Sequence, residues 1–390
     1  MRTVDDAERR ARLGVRHALA PDHRVDDPVA AAEAVLALHG TDPASTVLSV
    51  LARAPRLDVG DVAAALYDDR SLVRVLTMRR TVFAVRTDRA PDCLAACDGV
   101  AATERRKLVK AALDAGVDDP EAYVERVEAE ALAVFDDLET VTTKDLAAAS
   151  DLLAQRLVIG SGRWTAEVAV ASRVLTVLSA RGLVVRGRPR GGWTSTQFTW
   201  SRSDRWAPVL AERPDPQEAA VRVAGAWLAR HGPATLDDVQ WWSGWTRSRT
   251  RAALAALDTV EVETSAGPAL LLAEDADPVD DPGTWTALLP ALDPAVMGWK
   301  HRDHLLGPHR EELFDVNGNA GPTVWVDGRV VGGWAQRADG EVVVDVLEDV
   351  GAEARAAVDD RAAALTARLG DVRLAARARG WTPVEKRLRA

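Results

Sequence analysis

Apolar residues recur along this chain with two different periods, and the switches between them predict its elements. Residues 28–38, 42–52 and 59–67 carry helical spacing, and the β-branched run 76–85 reads as strand. Farther on, Thr143 stands before Lys144-Asp145-Leu146 as a helix N-cap, and Ile159-Gly160-Ser161-Gly162 marks a turn. Val168, Ala171, Leu175 and Leu178 then place a helix over 164–181 that Gly182 closes. The segments 183–186 and 193–200 read as strands joined by Gly187-Arg188-Pro189-Arg190-Gly191-Gly192. The same order returns after Glu218. One helix runs to Gly232-Pro233, a second opens at Thr235 and breaks at Gly244, and a third starts at Thr246 and leads into Val260-Glu261-Val262-Glu263.

Helix, turn, helix and strand pair thus occur three times, which is the order of a winged helix. The fold class expected is α+β: three tandem winged-helix units (1–140 with a helical extension, 141–213, 214–284) and a small C-terminal α/β segment (285–390). In that last segment Asp327-Gly328 separates two β-branched runs as a two-residue hairpin, and a second hairpin falls at Ala338-Asp339-Gly340. A helix is expected near 352–369.

Length and composition agree with several compact units. The chain has 390 residues, 47% of them apolar and 28% charged. No stretch approaches the roughly 18 uncharged apolar residues of a membrane span. The acidic residues near the start of the chain do not fit a signal peptide, so the cytoplasm is the expected location. Cys93 and Cys97, four apart in an Ala-rich helical stretch, read as small buried thiols.

Net charge is −10, which opposes a nucleic-acid partner until its distribution is read. Between 181 and 205 six arginines meet a single acid, Asp204, whereas 341–360 holds seven acids and only Arg355. The basic hairpin with Arg186, Arg188 and Arg190, and the turn with Arg247, Arg249 and Arg251, are therefore candidate phosphate contacts. Trp193, Phe198 and Trp200 offer base-stacking or core surfaces, and Trp241, Trp242 and Trp245 are expected to fill a seam between units. Arg79 and Arg80 lie in the strand-like run, where neighbours face opposite sides, so only one of them can enter a site.

Together the phrases Leu38-His39-Gly40-Thr41-Asp42-Pro43, Met78-Arg79-Arg80-Thr81-Val82-Phe83, Leu289-Pro290-Ala291-Leu292-Asp293-Pro294, Gly298-Trp299-Lys300-His301-Arg302 and Arg329-Val330-Val331-Gly332-Gly333-Trp334, with Asn317-Gly318, resemble the winged-helix DNA glycosylases of the AlkZ and YcaQ type. That resemblance spans nearly the whole chain. It implies a C-shaped set of winged helices around double-stranded DNA, hydrolysis of the N-glycosidic bond of alkylated purines, in some members at interstrand crosslinks, and no cofactor. Where those enzymes carry Gln-x-Gln or Gln-x-Asp, this chain has His39-Gly40-Thr41.

His39 as proton acceptor, Thr41 as water holder and Asp42 as electrostatic partner of an oxocarbenium-like sugar form the candidate catalytic set. The same residues also read as a helix end at His39-Gly40 and an N-cap at Asp42-Pro43, or as a non-catalytic DNA contact. Asp293, Arg302 and Asp303 are candidates to orient the triplet or contact DNA. His301, His304 and His309 lie in a turn-rich charged run that reads as solvated or hydrogen-bonded rather than metal-binding, and no metal is expected. No nucleotide-binding glycine motif occurs. A monomer is expected, because one chain already supplies several DNA-facing units.

Overall fold

A computed structural model describes residues 2–159, 165–374 and 380–390. It is a mixed α and β fold with five small sheets. The first orders the strands Leu38–His39, Val82–Arg86 and Leu72–Leu76 with Val82–Arg86 in the centre, all antiparallel. Helix Pro43–Arg53 follows at once, opened by Asp42 and by Pro43 in its first turn. The C-terminal sheet orders Thr286–Leu289, Thr323–Val326, Arg329–Gln336 and Val342–Val346, with helix Ala352–Leu369 packed on it. Its hairpin turns through Asp327 and Gly328, both at positive φ, as the Asp-Gly pair predicts.

The middle of the chain carries two similar successions. In 141–213 helices Thr143–Ala149 and Asp151–Ala154 precede the paired strands Arg156–Ile159 and Ala166–Ala169, helix Val170–Ala180, and the hairpin Val184–Pro189 with Phe198–Arg202. In 214–284 helices Pro216–His231, Leu236–Ser243 and Arg247–Ala255 lead into the hairpin Thr259–Thr264 with Gly267–Leu272. The N-terminus joins this second stretch. Strand Arg2–Thr3 pairs parallel with Thr259–Thr264, and helix Asp6–Arg16 sends Arg12 and Arg16 to Asp275.

Several sequence expectations need correction. The helix expected over 28–38 ends at Glu33, because Leu36 turns left-handed (φ 66°) and Leu38–His39 leaves to pair with Ala84 and Phe83. Gly40 permits this close approach, since a Cβ there would stand 3.1 Å from the Ala84 nitrogen. His39-Gly40 is thus a strand exit, not a helix end. The run 76–85 is a hairpin turn, not one strand: Met78–Arg80 forms a 3₁₀ turn with Arg79 and Arg80 at φ 51° and 57°. Residues 166–169, expected helical, form a strand held by Arg156–Ile159. The N-cap is Thr142, in a reciprocal box with Asp145, one residue before the expected Thr143. Trp193 lies ahead of the second hairpin strand, which starts only at Phe198. The turn expected at Gly160-Ser161-Gly162 lies outside the described residues.

The largest core ties distant stretches together. It joins Leu13 and Leu19 with Phe83 and Val85 of the first sheet, the tryptophans 227, 242 and 245, and the C-terminal Trp285, Trp299 and Trp325. Residues between 108 and 200 build a separate core.

One polar connection is fully buried. Arg53, at the end of the helix that Asp42 begins, donates to both Asp293 oxygens at 2.9 and 2.8 Å. Ser49 adds a hydroxyl at 2.6 Å and the Ala295 backbone N–H completes the carboxylate's shell at 2.9 Å. Removing one partner strands the other charge in the interior. Arg53→Met is expected to cost about 3–5 kcal/mol in urea unfolding, and Arg53→Met with Asp293→Leu is expected to cost clearly less than the sum of the single changes. Additive losses below about 1 kcal/mol each would remove this pair as the tie between the two parts.

Three histidines are buried and kept neutral. His17 and His231 meet at 4.8 Å between centroids, His231 stacks on Trp227, and His304 packs edge-on to Trp299. Burial drives His17 and His304 well below the ordinary imidazole range and His231 down to about 3. The unfolded chain takes up these protons near pH 6.5 while the folded chain does not, so stability falls with pH below that point. Between pH 7.5 and pH 5 His231, held at about 3, accounts for about 2 kcal/mol, and His304→Phe is expected to make the profile shallower. A profile unchanged by that substitution would show that His304 does not stay neutral.

Candidate active site and nucleic-acid interface

The segment 39–42 leaves the first sheet at the end where the Met78–Arg80 turn also lies: His39 pairs with Phe83, and the Gly40 N–H donates to the Val82 carbonyl at 2.8 Å. The His39 ring is half-buried and meets Phe83 edge-on at 5.8 Å. Its backbone carbonyl accepts from the Thr46 hydroxyl at 2.9 Å, which fixes the strand against the following helix. Thr41 is exposed at the junction.

Asp42 is held rather than free. Its carboxylate accepts from the N–H groups of Ala44 and Ser45 at 3.3 Å each and from the Ser45 hydroxyl at 2.6 Å. It is therefore an N-cap, as its sequence context allows, and a carboxylate of fixed orientation. Beside it a cleft of about 50 Å³ is walled by Ser45, Pro290, Ala291, Gln336 and Trp381. That volume holds water, not a nucleobase.

Arginine and aromatic side chains alternate at two places around the same sheet. At the turn, the Arg79 guanidinium lies 4.2 Å from the centroid of Trp241, and Arg302 lies 4.6 Å from that same ring. Phe314 continues the series, with Arg302 at 5.4 Å and Arg310 at 5.1 Å. Burial lowers both Arg79 and Arg302 to about 10, and for Arg302 the neighbouring charges of Arg310 and Arg79 add to the effect. Arg80 turns the other way, toward Glu104 at 3.6 Å. The two arginines do diverge, but through a left-handed turn rather than a strand.

On the neighbouring strand, Arg74 is fully buried and donates to the Tyr67 hydroxyl at 2.5 Å and to the Gly187 carbonyl at 2.9 Å. Its guanidinium also stacks on Phe198 at 4.7 Å. Arg186 lies 4.5 Å from the centroid of the same Phe198 ring and 5.3 Å from that of Trp200, with burial lowering it to about 10. Arg188 covers Tyr67 at 4.8 Å and pairs with Asp68 at 2.7 Å. The basic hairpin is thereby fastened to the first sheet, and Trp200 serves a core.

The other expected contacts are partly engaged. Arg247 pairs with Asp237, and Arg249 with Asp98, each within 2.8 Å. Arg190 and Arg251 are exposed. Arg302 is 3% exposed and donates to the Val296 carbonyl. His309 pairs with Glu348, and among the described residues no group of three or more His, Cys, Asp or Glu side chains is placed to hold a metal ion. Cys93 and Cys97 are buried, their thiols raised by burial, Cys97 to about 12. Trp242 fills a seam, between Phe83 and Trp227.

Sequence reading missed Ser45, Arg53, Tyr67, Arg74 and Arg310. Asp293 caps the short helix Pro294–Met297, and nothing local to it announces Arg53 as its partner.

Among solved structures, the fold is similar to the DNA glycosylase AlkZ of Streptomyces sahachiroi, with a TM-score of 0.70 at 22% identity, covering 94% of this chain and 96% of that one. Among curated proteins, the chain is 30% identical over 213 residues to the interstrand DNA cross-link repair glycosylase of Streptomyces sahachiroi. That match covers 52% of this chain and spans 56% of the relative's length. The model of the DNA glycosylase AlkZ-like family matches residues 32–368, and with that extent the chain belongs to the AlkZ-like DNA glycosylase family.

Proposed function

We propose that this chain is a monofunctional DNA glycosylase that hydrolyses the N-glycosidic bond of N7-alkylated purines in duplex DNA, including those within interstrand crosslinks. Family membership supports the reaction class. The observation that carries the site is that the His39–Asp42 segment and the arginine-bearing 78–80 turn emerge at one end of one sheet. In this reading the 141–213 and 214–284 stretches act with the N-terminal unit as three winged helices, and Arg79, Arg80, Arg186, Arg188, Arg190, Arg247, Arg249, Arg251 and Arg302 supply phosphate contacts. The chain works as a monomer, without metal or nucleotide cofactor.

The chemistry asked of the protein is modest. An N7-alkylated purine already bears a positive charge, so when the C1′–N9 bond breaks its electrons neutralise the departing base. Water forms the new bond to C1′ and gives its proton to His39, with the exposed Thr41 hydroxyl orienting it. Asp42, fixed by three donors, places negative charge toward the sugar cation as it develops.

A second reading, a non-catalytic DNA-binding protein, is favoured by Asp42 being engaged as a cap and by His39 and Thr41 standing where related enzymes have glutamine or aspartate. Turnover separates the two. On duplex DNA carrying N7-methylguanine or a nitrogen-mustard crosslink, His39→Ala is expected to lower base release by about 10²–10⁴, the range of acid–base catalysis. Asp42→Asn, which preserves a good N-cap, is expected to lower release with stability changed by less than about 0.5 kcal/mol. DNA affinity should hold in both. Salt-sensitive DNA binding without release from any alkylated duplex would establish the second reading.

A further inference from the structure

The series Arg79, Trp241, Arg302, Phe314 and Arg310 is drawn from three separated parts of the chain, and its electrostatics do not close. Trp241 lies on helix Leu236–Ser243, Arg79 on the hairpin turn, and Arg302, Arg310 and Phe314 in the C-terminal segment. Among the described residues no carboxylate forms an ion pair with Arg79, Arg302 or Arg310, whereas Glu104 pairs with Arg80, and Asp237 with Arg247 and Lys300. No acceptor there takes a side-chain N–H of Arg79, and its Nε is buried without a partner, as is that of Arg302. Asp238 and Asp303 draw Arg302 only weakly. Asp238 itself already accepts from the Lys300 and His301 backbone N–H groups and from Thr235.

Internal support for a cation looks different in this same protein. Arg53 has a bidentate carboxylate, and Arg74 has a hydroxyl and a carbonyl. Among the described residues Arg79 has aromatic surface alone, on a backbone held in the left-handed region, where a residue other than glycine is strained; Arg302 has, besides the rings, only the Val296 carbonyl and the Met297 sulfur, both at one nitrogen. Three guanidinium groups kept together against mutual repulsion, two of them largely desolvated, form a site that an anion would complete.

We propose that Arg79, Arg302 and Arg310, spaced by Trp241 and Phe314, form a seat for one phosphodiester of the DNA strand beside the His39–Asp42 segment. This rests on the DNA-binding reading above and deepens it, distinguishing one built phosphate site from the diffuse contacts of exposed arginines. The aromatic rings fix the guanidinium groups and exclude water, so the seat offers directed N–H donors rather than a mobile charge.

The test is binding of the full chain to an undamaged duplex, followed by anisotropy from 50 to 300 mM KCl. Arg79→Gln and Arg302→Gln are each expected to weaken binding about tenfold at fixed salt. Each should also reduce the slope of log affinity against log salt by about 1, the signature of one lost phosphate contact. Their melting temperatures should be unchanged or higher, because an uncompensated buried cation is removed. Arg310→Gln, at an exposed position, should shift the slope in the same direction and covers the case in which a buried substitution fails to fold. Arg355→Gln, in the acidic region, serves as the control with an unaltered slope.

Unaltered affinity and slope in the Arg79 and Arg310 variants would overturn the seat while leaving the glycosylase reading standing. A wild-type chain that binds no duplex at 50 mM salt would overturn that reading itself. If inorganic phosphate then raised the wild-type melting temperature in an Arg79-dependent way, the seat would belong to a free phosphate and not to DNA.

Discussion

The buried pair of Arg53 and Asp293 is the constraint on which the placement of the candidate site depends. A charged pair with no exposed atoms persists only when nearly every lone pair and N–H has a partner. Here the carboxylate receives two guanidinium bonds, a serine hydroxyl and a helix N-terminal N–H. Arg53 ends the helix that Asp42 starts, and Asp293 caps the short helix Pro294–Met297, so the bond sets one end of the site helix against the C-terminal segment. The other end is set by Thr46 on the His39 carbonyl and by Asp42 on Ser45. Between these anchors the 39–42 segment has little freedom to move relative to Pro290 and Ala291. The cleft beside Asp42 is a consequence of that clamp.

Charge in this protein is arranged by pairing, not by total. A net charge of −10 argues against a polyanionic partner only if the charge is spread evenly. Many arginines are matched to acids at the surface, as Arg188, Arg247 and Arg249 are. Such pairs contribute little to stability and are available to exchange one anion for another. Arg79 and Arg302 at the Met78–Arg80 turn, and Arg186 on the basic hairpin, are held against aromatic rings, without ion pairs among the described residues. What sets these three apart is an aromatic face in the place where the others have an acid or solvent.

How much could be read in the residues depends on how local each determinant is. Helix Ala352–Leu369 and the Asp327-Gly328 hairpin follow from short signals and were legible. Ala166–Ala169 has a helix-compatible pattern but becomes a strand because Arg156–Ile159 offers it a partner, and no window over 164–181 contains that information. His39 is the same case at longer range: Phe83 and Ala84 make it a strand residue, whereas His-Gly alone reads as a helix end. Asp42-Pro43 was legible as a cap because capping is local. Arg53 was not, since its partner lies 240 residues away. The family phrases pointed to the candidate site region; pairing and packing decide what each residue in it can do.

The left-handed turn at Arg79 and Arg80 links the physical and functional sides of this fold. A Gly would enter that conformation without strain, yet two arginines occupy it. Gly244 across the seam has no Cβ, and one added there would come within 3.0 Å of the Arg79 nitrogen. The seam is therefore shaped to accept the turn closely, and the turn in return sends Arg79 inward over Trp241 and Arg80 outward toward Glu104. Backbone strain, a desolvated cation and repulsion from Arg302 all oppose this arrangement, and the Trp241 contact alone is worth only about 1–2 kcal/mol. Phe83, three residues after the turn, packs against Trp242 in the core and so ties the turn to the helix that carries Trp241. Local stability is thus spent on keeping a guanidinium at a defined position beside the His39 strand, which is the trade expected where a cation must meet an anion from outside the chain rather than a neighbouring carboxylate.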